Sequence, residues 1–451
     1  MKKQQFLTKL AWLGLITSAL IPSGCLSNPT NTLITQTYPE SGVDLSAYGW
    51  LGAAFAQPML HETVEGAFDL SPDLHGQTFW EDNTFWFRPI QAFNQDTHYK
   101  AELIGSLQTA EGQQISVNLT WEFNIREPEL IYFVREGDLG EIWRSAPDGS
   151  QNQQLSKTGG NVFDFAPDQS GSWIAFTAEN ESNGRDLWIM DRDGEKQHML
   201  IDCQQDICSE PTWSMDQTWL AYSRQAHNEG TGGYQPSQIW KVAAQSGETI
   251  PLDQDYPIFG YSPSFSPDGE KLAIYDSTHQ AFRIFDLQTS EEALISRTLP
   301  GSVSWSSDSS QIMFTDEVSA VMEPFIDLYV ADLSTGEVTT AFSEATTDTD
   351  FGQPKWSPDG EWIAVSLRPV NAAVSKMLWV ISLGGNRNIQ ITDDQSATFS
   401  AYQWNPWGSI LVYQRLALGS SEPQVSIWVW DWQTQESIMI VENASRPAWL
   451  P

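Results

Sequence analysis

Cysteine and histidine are scarce in this chain of 451 residues, which contains three Cys and six His. The histidines are spread along the chain, and none stands at a paired spacing typical of metal ligands. They are His61, His75, His98, His198, His227 and His279. The sequence therefore predicts no metal centre, and we expect these side chains on loops.

Basic residues are also few, with 23 Lys and Arg against 58 Asp and Glu and a formal net charge of −35. Binding to a polyanion requires clustered Lys and Arg that displace its counterions. This balance excludes nucleic acid as a partner. Because the acids are scattered, we interpret them as the soluble surface of an exported protein, with attraction of cations or a basic partner as the alternative.

Two further features are absent. Beyond residue 24 no segment is long and apolar enough to span a membrane. No Gly-x-Ser-x-Gly motif occurs and no hydrolase domain follows the repeats, which disfavours a peptidase of the prolyl-oligopeptidase type. We find no catalytic residues in the sequence.

The first 24 residues have the pattern of a signal peptide. Lys2, Lys3 and Lys9 form a positive segment, and an apolar stretch from Leu10 to Ile21 follows. This stretch is short for a transmembrane helix. We therefore predict export from the cytoplasm.

Cys25 follows the small residues Ser23 and Gly24 at the end of the apolar stretch. This arrangement resembles the lipobox of bacterial lipoproteins, although Pro22 stands where that family favours Leu. The resemblance implies a signal peptide at 1–24, a lipidated Cys25 and a short linker at 25–32. An ordinary cleaved signal peptide is the alternative.

Cys203 and Cys208 are the other two cysteines, and four residues separate them. In an exported protein a small disulfide loop is the natural interpretation, because the compartment is oxidising. Free thiols and a metal site are the alternatives. A metal site would need further ligands, and the neighbouring sequence offers none.

An internal repeat is the most informative feature that the sequence does contain. Six copies of an aromatic residue followed by a turn containing Asp or Gly occur at spacings of 48, 52, 40, 51 and 48 residues, and the aromatics are Phe165, Trp213, Phe265, Trp305, Trp356 and Trp404. Each turn leads into a short, β-rich run. These runs are Trp173–Thr177, Trp219–Ser223, Lys271–Tyr275, Gln311–Phe314, Trp362–Ser366 and Ile410–Tyr413.

A seventh, incomplete unit precedes the six. It has strands at Leu130–Val134, Glu141–Arg144 and Gln153–Ser156 but lacks an opening strand. The segment Arg446–Pro451 at the other end of the chain resembles the opening strand of the repeats. We predict that it completes the first unit and leaves no free sheet edge.

These repeats resemble the TolB-like β-propeller, whose blades carry the same aromatic-Ser-Pro-Asp-Gly turn. The resemblance covers 128–451 and implies seven four-stranded blades closed by the C-terminal strand. Most of the 21 Trp fall in these blades. Many lie on the third strands, where we expect packing between blades in preference to a sugar-binding platform.

The region 33–127 is β-rich but does not repeat. From Ile115 to Ile125 apolar and polar residues alternate strictly, which predicts a strand with one buried face. Several segments, among them Tyr38–Val43 and Phe85–Pro89, resemble the bacterial Ig-like domain of the S-layer type. The resemblance implies a β-sandwich that acts as a spacer or an adhesion module. The predicted fold class is therefore all-β.

Acidic pairs in predicted loops, Asp348 with Asp350 and Asp393 with Asp394, have the oxygen ligands that calcium prefers. The spaced loop of an EF-hand is absent, so we interpret them as solvated loop charge and keep calcium as the alternative. Asp268 and Asp359 are required by the repeated turn itself, and we expect them to be structural.

The sequence favours a non-enzymatic, lipid-anchored binding or scaffold protein whose propeller engages a protein partner of the cell envelope. An enzyme acting on glycans or peptides from the propeller channel is the second hypothesis. A structural or adhesive envelope component, which binds through the sandwich, is the third.

Overall fold

The computed structural model describes residues 33–136, 139–159, 161–253, 257–297, 299–318, 324–342, 349–370, 372–419 and 424–451. These residues form an all-β structure with one short helix. Within them, no helix has the length and apolar character needed to cross a membrane.

The N-terminal region consists of two antiparallel sheets. Its elements are β1 (Ile34–Tyr38), β2 (Leu51–Phe55), α1 (His61–Glu65), β3 (Phe68–Ser71), β4 (Gly76–Glu81), β5 (Thr84–Pro89), β6 (His98–Gln108) and β7 (Gln114–Asn124). One sheet has the order β1-β2-β5-β4 and the other β3-β6-β7. A single hydrophobic core, which includes Phe85, Tyr99 and Trp121, contains residues of both sheets.

The strand predicted from strict alternation is β7. Val117, Trp121 and Phe123 are buried, and the polar residues between them are exposed or partly exposed. Period-two patterning places one side of the strand against the core, as the sequence predicts.

The strands after residue 128 pair mainly with their sequence neighbours. The first strands and sheets in chain order are β8 (Glu129–Glu136), β9 (Leu139–Ser145) and β10 (Gln153–Gln154); then β11 (Val162–Pro167), β12 (Trp173–Glu179), β13 (Arg185–Asp191) and β14 (His198–Ile201); then β15 (Ile207–Trp213), β16 (Trp219–Gln225), β17 (His227–Asn228), β18 (Gly233–Tyr234), β19 (Gln238–Ala243) and β20 (Thr249–Pro251). A parallel pairing of Arg185 with Ile207 joins β13 to β15, and β17 and β18 form a separate hairpin.

Four further groups follow. They are β21 (Gly260–Phe265), β22 (Lys271–Asp276), β23 (Ala281–Asp286) and β24 (Glu292–Ser296); β25 (Ser304–Trp305), β26 (Gln311–Val318), β27 (Phe325–Asp332) and β28 (Val338–Thr340); β29 (Thr349–Phe351), β30 (Lys355–Trp356), β31 (Trp362–Pro369), β32 (Met377–Ser382) and β33 (Asn388–Gln390); and β34 (Ala397–Trp404), β35 (Ile410–Ala417), β36 (Gln424–Asp431), β37 (Ser437–Glu442) and β38 (Ala444–Leu450). β29 and β30 both pair with β31.

β38 does not continue the sheet of β34 to β37. It pairs antiparallel with β8, with Ala444 opposite Val134 and Trp449 opposite Leu130. The resulting sheet has the order β10-β9-β8-β38. The segment near the C-terminus therefore supplies the strand that the unit near residue 130 lacks.

The repeated turn is held by a Ser and an Asp. Ser266 Oγ donates to Asp268 Oδ1 at 2.5 Å, and the backbone N–H of Lys271 donates to Ser266 Oγ at 2.9 Å. Gly269 follows with φ of +76°, a left-handed conformation that glycine adopts without strain. These contacts give Asp268 the structural role expected from the sequence.

Hydrogen bonds join the first strand of each repeat to the first strand of the next repeat. The first strands are β11, β15, β21, β25, β30, β34 and β38. Along the chain the hydrogen bonds are Trp213 Nε1 to the Ala166 carbonyl at 3.1 Å, Ser262 N to Glu210 Oε2 at 2.8 Å, Trp305 Nε1 to Ser264 Oγ at 3.2 Å, Trp356 N to Ser304 Oγ at 2.9 Å, Trp404 Nε1 to the Lys355 carbonyl at 3.2 Å, Trp449 Nε1 to the Gln403 carbonyl at 3.1 Å and Arg446 Nη1 to Asp164 Oδ1 at 2.9 Å. The last bond returns from β38 to β11.

Gly171 provides a test of how tightly the C-terminal segment is held. Its φ is +67°, and a Cβ there would lie 1.9 Å from the Pro451 carbonyl oxygen. Gly336 has a similar φ of +71°, and a Cβ at that position would have nothing within 4 Å, so it is a matched control.

We predict that Gly336→Ala lowers the free energy of unfolding by about 1 kcal/mol, the cost of a left-handed alanine. Gly171→Ala should cost about 3 kcal/mol, because the methyl group also displaces the backbone of Pro451. Denaturant unfolding of both variants measures the difference. Equal losses would show that Pro451 does not constrain this turn.

Candidate functional site

Of the three cysteines, Cys25 lies outside the described residues. Cys203 and Cys208 are joined in a disulfide with a Cα–Cα distance of 6.4 Å. Both are buried, Cys203 in the loop from β14 to β15 and Cys208 in β15, and the backbone N–H of Cys203 donates to Asp186 Oδ1 at 2.9 Å. The bonded pair closes the short loop that the spacing indicates.

One acid of each pair considered for calcium is engaged by basic side chains. Asp350 accepts from Arg368 Nε at 2.8 Å and lies 3.1 Å from Lys376 Nζ. Asp394 Oδ2 lies 2.5 Å from Arg415 Nη2. Asp393 is exposed, and Asp348 lies outside the described residues.

These contacts set the protonation of the two acids. Burial acts to raise the pKa of Asp350, but the hydrogen bonds from Lys376 and Arg368 outweigh it and lower the pKa overall. The Ser396 hydroxyl, followed by Arg415, lowers the pKa of Asp394 to about 2. Within the described part of the chain, no group of three or more His, Cys, Asp or Glu is arranged to hold a metal ion. Asp350 is buried in β29, so the expectation of solvated loop charge was wrong for this residue, whereas Asp394 lies in a loop and is paired with Arg415.

The histidines do not all lie on loops, so that expectation was wrong in part. His61 begins α1, His98 begins β6, and His198 and His227 begin β14 and β17. Strand pairing accommodates His98 and His198 because both side chains are exposed, His98 beside Glu122.

The tryptophans of the third strands pack between neighbouring groups of strands. Trp379 of β32 contacts two hydrophobic clusters, one with Met313 and Leu328 and the other with Tyr402 and Leu411. Side chains in such positions fill the space between sheets.

The N-terminal sandwich lies against one end of the repeat region, where the Asp- and Gly-containing turns lie. Trp407, in the turn between β34 and β35, donates from Nε1 to the Phe93 carbonyl at 2.7 Å. Arg126 donates from Nη2 to the carbonyls of Ser170 at 3.4 Å and Pro451 at 2.9 Å. We call this end the turn face.

A cleft of about 1490 Å³ lies between the sandwich and the turn face. Arg88 of β5 lines it together with Asp216, Asp268 and Glu270. Burial lowers the pKa of Arg88, and the three carboxylates act against this decrease. In the cleft, a cation of the sandwich therefore faces carboxylates of the repeat region.

The opposite end, which we call the free face, carries ion pairs that recur from one group of strands to the next. Arg224, Arg368 and Arg415 lie near the ends of β16, β31 and β35, away from the turns that open these strands. Their partners are Asp206 at 2.7 Å, Asp350 at 2.8 Å and Asp394 at 2.5 Å. Three of the repeats thus carry an Arg–Asp ion pair on this face.

A groove of about 710 Å³ also lies on the free face. Val374, Phe399 and Leu418 form its apolar part, and Arg368 and Lys376 lie beside them. The side chains of Val374 and Leu418 are 39% and 47% exposed.

A smaller cavity of about 330 Å³ lies among the first strands. It is lined by residues of β11, β30, β34 and β38, among them Asp164, Lys355, Gln403 and Arg446. We call it the channel cavity, because first strands of successive repeats enclose it.

β-Bulges recur in the first strands, and those of β34 and β38 lie beside this cavity. The register shifts in β15, β21, β34 and β38, and the bulged residues Glu210, Ser262, Ala401 and Arg446 have φ between +48° and +55°. A bulge turns one side chain away from the regular alternation. The sequence patterns did not predict these positions, although each lies three residues before the aromatic of its repeat.

The fold and these surfaces define the class of protein as an all-β, propeller-like repeat protein. Among solved structures, TolB from Acinetobacter baumannii is similar, with 14% identity, a TM-score of 0.43 and coverage of 85% of this chain and 83% of that chain. The β-propeller domain of the Trilobed protease from Pyrococcus furiosus is also similar, with 14% identity, a TM-score of 0.48 and coverage of 77% and 93%.

A prolyl endopeptidase is similar at 10% identity with a TM-score of 0.50, and the likeness covers 78% of this chain and 49% of that chain. A putative Tricorn-like protease C-terminal subunit from Sulfurisphaera tokodaii is 30% identical over 99 residues, which are 22% of this chain and 11% of that protein. No family model matches the chain. The structural likenesses, at these identities, concern the fold alone.

Asp394 provides a test of the contacts that lower its pKa on the free face. We predict that Ser396→Ala raises the pKa of Asp394 from about 2 towards its ordinary value, because the Ser396 hydroxyl is the largest cause of the decrease. Because the pKa is lowered in the folded state, Asp394 stabilises the fold at pH values above the ordinary pKa of Asp. This stabilisation is lost as the pH falls towards 2. Carboxyl ¹³C NMR measures the titration.

The matched control is Ser334→Ala. Ser334 is the largest cause of the low pKa of Asp332, also about 2, so this variant should raise the pKa of Asp332 and leave that of Asp394 unchanged. An unchanged Asp394 titration in Ser396→Ala would contradict the assignment.

Proposed function

We propose that the chain is a lipid-anchored, extracytoplasmic scaffold protein. In this proposal an Ig-like sandwich at 33–127 holds a seven-bladed, TolB-like propeller at 128–451, and the free face of the propeller binds a protein partner of the cell envelope. No catalytic step is assigned to it.

The seven hydrogen-bonded links between successive first strands support the seven-bladed ring. They begin at β11 and return to it through Arg446 and Asp164. The pairing of β38 with β8 supplies the remaining strand of the first blade. Completing a blade with strands from both ends of the repeat leaves no unpaired edge at the junction.

The location rests on the sequence and on the disulfide. A positive segment and an apolar stretch precede Cys25, and Cys203 and Cys208 are bonded, as suits an oxidising compartment. Metabolic labelling with a fatty acid, compared with Cys25→Ala, decides the anchor: label that persists in the variant would contradict lipidation at Cys25.

One observation carries the proposed binding role: the sandwich covers the turn face, and among the described residues it does not cover the free face. Trp407 and Arg126 hold the sandwich on one side. The opposite side presents exposed aliphatic residues beside cationic ones in the groove of Val374 and Leu418. An apolar patch with a polar rim is typical of a protein interface.

A second candidate, an enzyme that acts on peptides, is favoured by the similarity of part of the chain to the Tricorn-like protease subunit. Its catalytic residues would have to converge on the channel. Turnover of a peptide by the purified protein would favour this candidate over the scaffold.

We predict that residues 25–451, immobilised on beads, enrich a specific partner from envelope extracts, and that Leu418→Glu abolishes the enrichment by placing a charge in the groove. Ile438→Glu is the matched control, because Ile438 is 51% exposed on the outer strand β37, away from the groove. Quantitative mass spectrometry of the captured proteins measures the effect.

Equal capture by Leu418→Glu and the wild type would contradict the groove as the binding surface. Loss of capture with Ile438→Glu as well would point to a general effect of surface charge.

A further inference from the structure

Lys355 lies in the channel cavity directly before the aromatic Trp356 of its first strand. The corresponding residues of the other first strands are one aspartate, Asp164, and five uncharged residues. Lys355 is therefore the single cation at this level of the repeat, in a protein whose acids far outnumber its bases.

The backbone of Lys355 is fixed on both sides. It pairs with Ala364 of β31, and its carbonyl accepts from Trp404 Nε1 at 3.2 Å. These contacts hold the start of the side chain at the cavity wall. The residue is partly buried, and this desolvation lowers the pKa of Lys355.

The ammonium group of Lys355 has no hydrogen bond or ion pair with any of the described residues. A partly desolvated cation without a counter-charge costs free energy, and an anion that enters beside it recovers part of that cost. The other cation of the cavity, Arg446, is already paired with Asp164 at 2.9 Å.

Gln403 adds a second donor to the same cavity. Its Oε1 accepts from the backbone N–H of Trp449 at 3.2 Å, which fixes which end of the amide faces β38. The Nε2 group is then free to donate, and it has no partner among the residues that the structure describes. Gln403 occupies the position in β34 that Lys355 occupies in β30.

We propose that the channel cavity is a carboxylate-binding site in which Lys355 and Gln403 each hold one oxygen of the ligand. A carboxylate has two oxygens that can accept from two separate donors. The nearby Asp164 disfavours a doubly charged group such as phosphate, because a second negative charge would face its carboxylate. A volume of about 330 Å³ accommodates a small acid or the end of a polypeptide.

This inference deepens the proposed function, on which it rests, by naming the chemistry of the group that the channel receives. The carboxylate has two sources, a small acid or the C-terminus of a partner polypeptide. The probes that distinguish them are acetate and tetraglycine, with tetraglycine amide and inorganic phosphate as controls.

The test uses the exported chain, residues 25–451, and follows the side-chain ¹H–¹⁵N signals of Lys355 and Gln403 by NMR during titration with each probe. We expect saturable shifts with acetate or tetraglycine and none with tetraglycine amide. Binding to both probes indicates a general carboxylate site, and binding to tetraglycine alone indicates a polypeptide end. Phosphate or the amide binding as tightly as the carboxylates would overturn the proposal, as would the absence of any shift.

Lys355→Met should weaken carboxylate binding at least tenfold. It should also raise the melting temperature of the free protein, because it removes the partly desolvated charge. Lys241→Met is the matched control: Lys241 lines the cleft at the turn face, so this variant should bind like the wild type.

Undiminished binding by Lys355→Met would overturn the inference, and the wild-type titration decides the matter if that variant does not fold. The two proposals fail separately. A carboxylate that binds while no envelope partner is captured contradicts the scaffold function alone. Capture of a partner without any carboxylate shift contradicts the site alone.

Discussion

Bonds between the first strands are the constraint on which the rest of the repeat region depends. A buried indole N–H needs an acceptor, and Trp213, Trp404 and Trp449 each find one on the backbone of the preceding first strand. These three repeats therefore satisfy their tryptophans only when the preceding repeat is in place. The channel cavity, the free face and the turn face all follow from this side-by-side arrangement.

The contact between β38 and β8 extends the same constraint to the ends of the repeat region. Leu450 packs in one cluster with Ile131 and Phe176, while Trp449 packs in the next with Tyr132 and Val412. Residues far apart in sequence thus share two cores. The sandwich adds to this junction, since Arg126 contacts the Pro451 carbonyl that also lies against Gly171.

Much of this architecture could be predicted from the sequence, because the repeat imposes the same local pattern many times. The observed second strands begin at the predicted residues, for example Trp173 and Lys271, but they extend further than predicted. The extension depends on pairing with the third strand, which a local pattern does not contain. The role of Asp268 was predictable since turn chemistry is local.

The functional surfaces were less predictable. Lys355 lies within the repeated motif, which indicates a turn and not a binding site, and its proposed role depends on which strands enclose it. The bulges at Glu210 and Arg446 require φ near +53°, which neither residue type signals. The free face likewise depends on where the sandwich lies, and that position is fixed by contacts such as Trp407 with Phe93, which are 314 residues apart.

Native-state hydrogen exchange of the amides of β38 and β8 tests the closure of the repeat region most directly. If β38 is an integral strand that joins the two ends, the amides of β38 that donate to β8 should exchange with the free energy of global unfolding. They should then be as protected as the amides of β35 and β36. Exchange of β38 through local opening at a much lower free energy, with β35 and β36 still protected, would contradict the account.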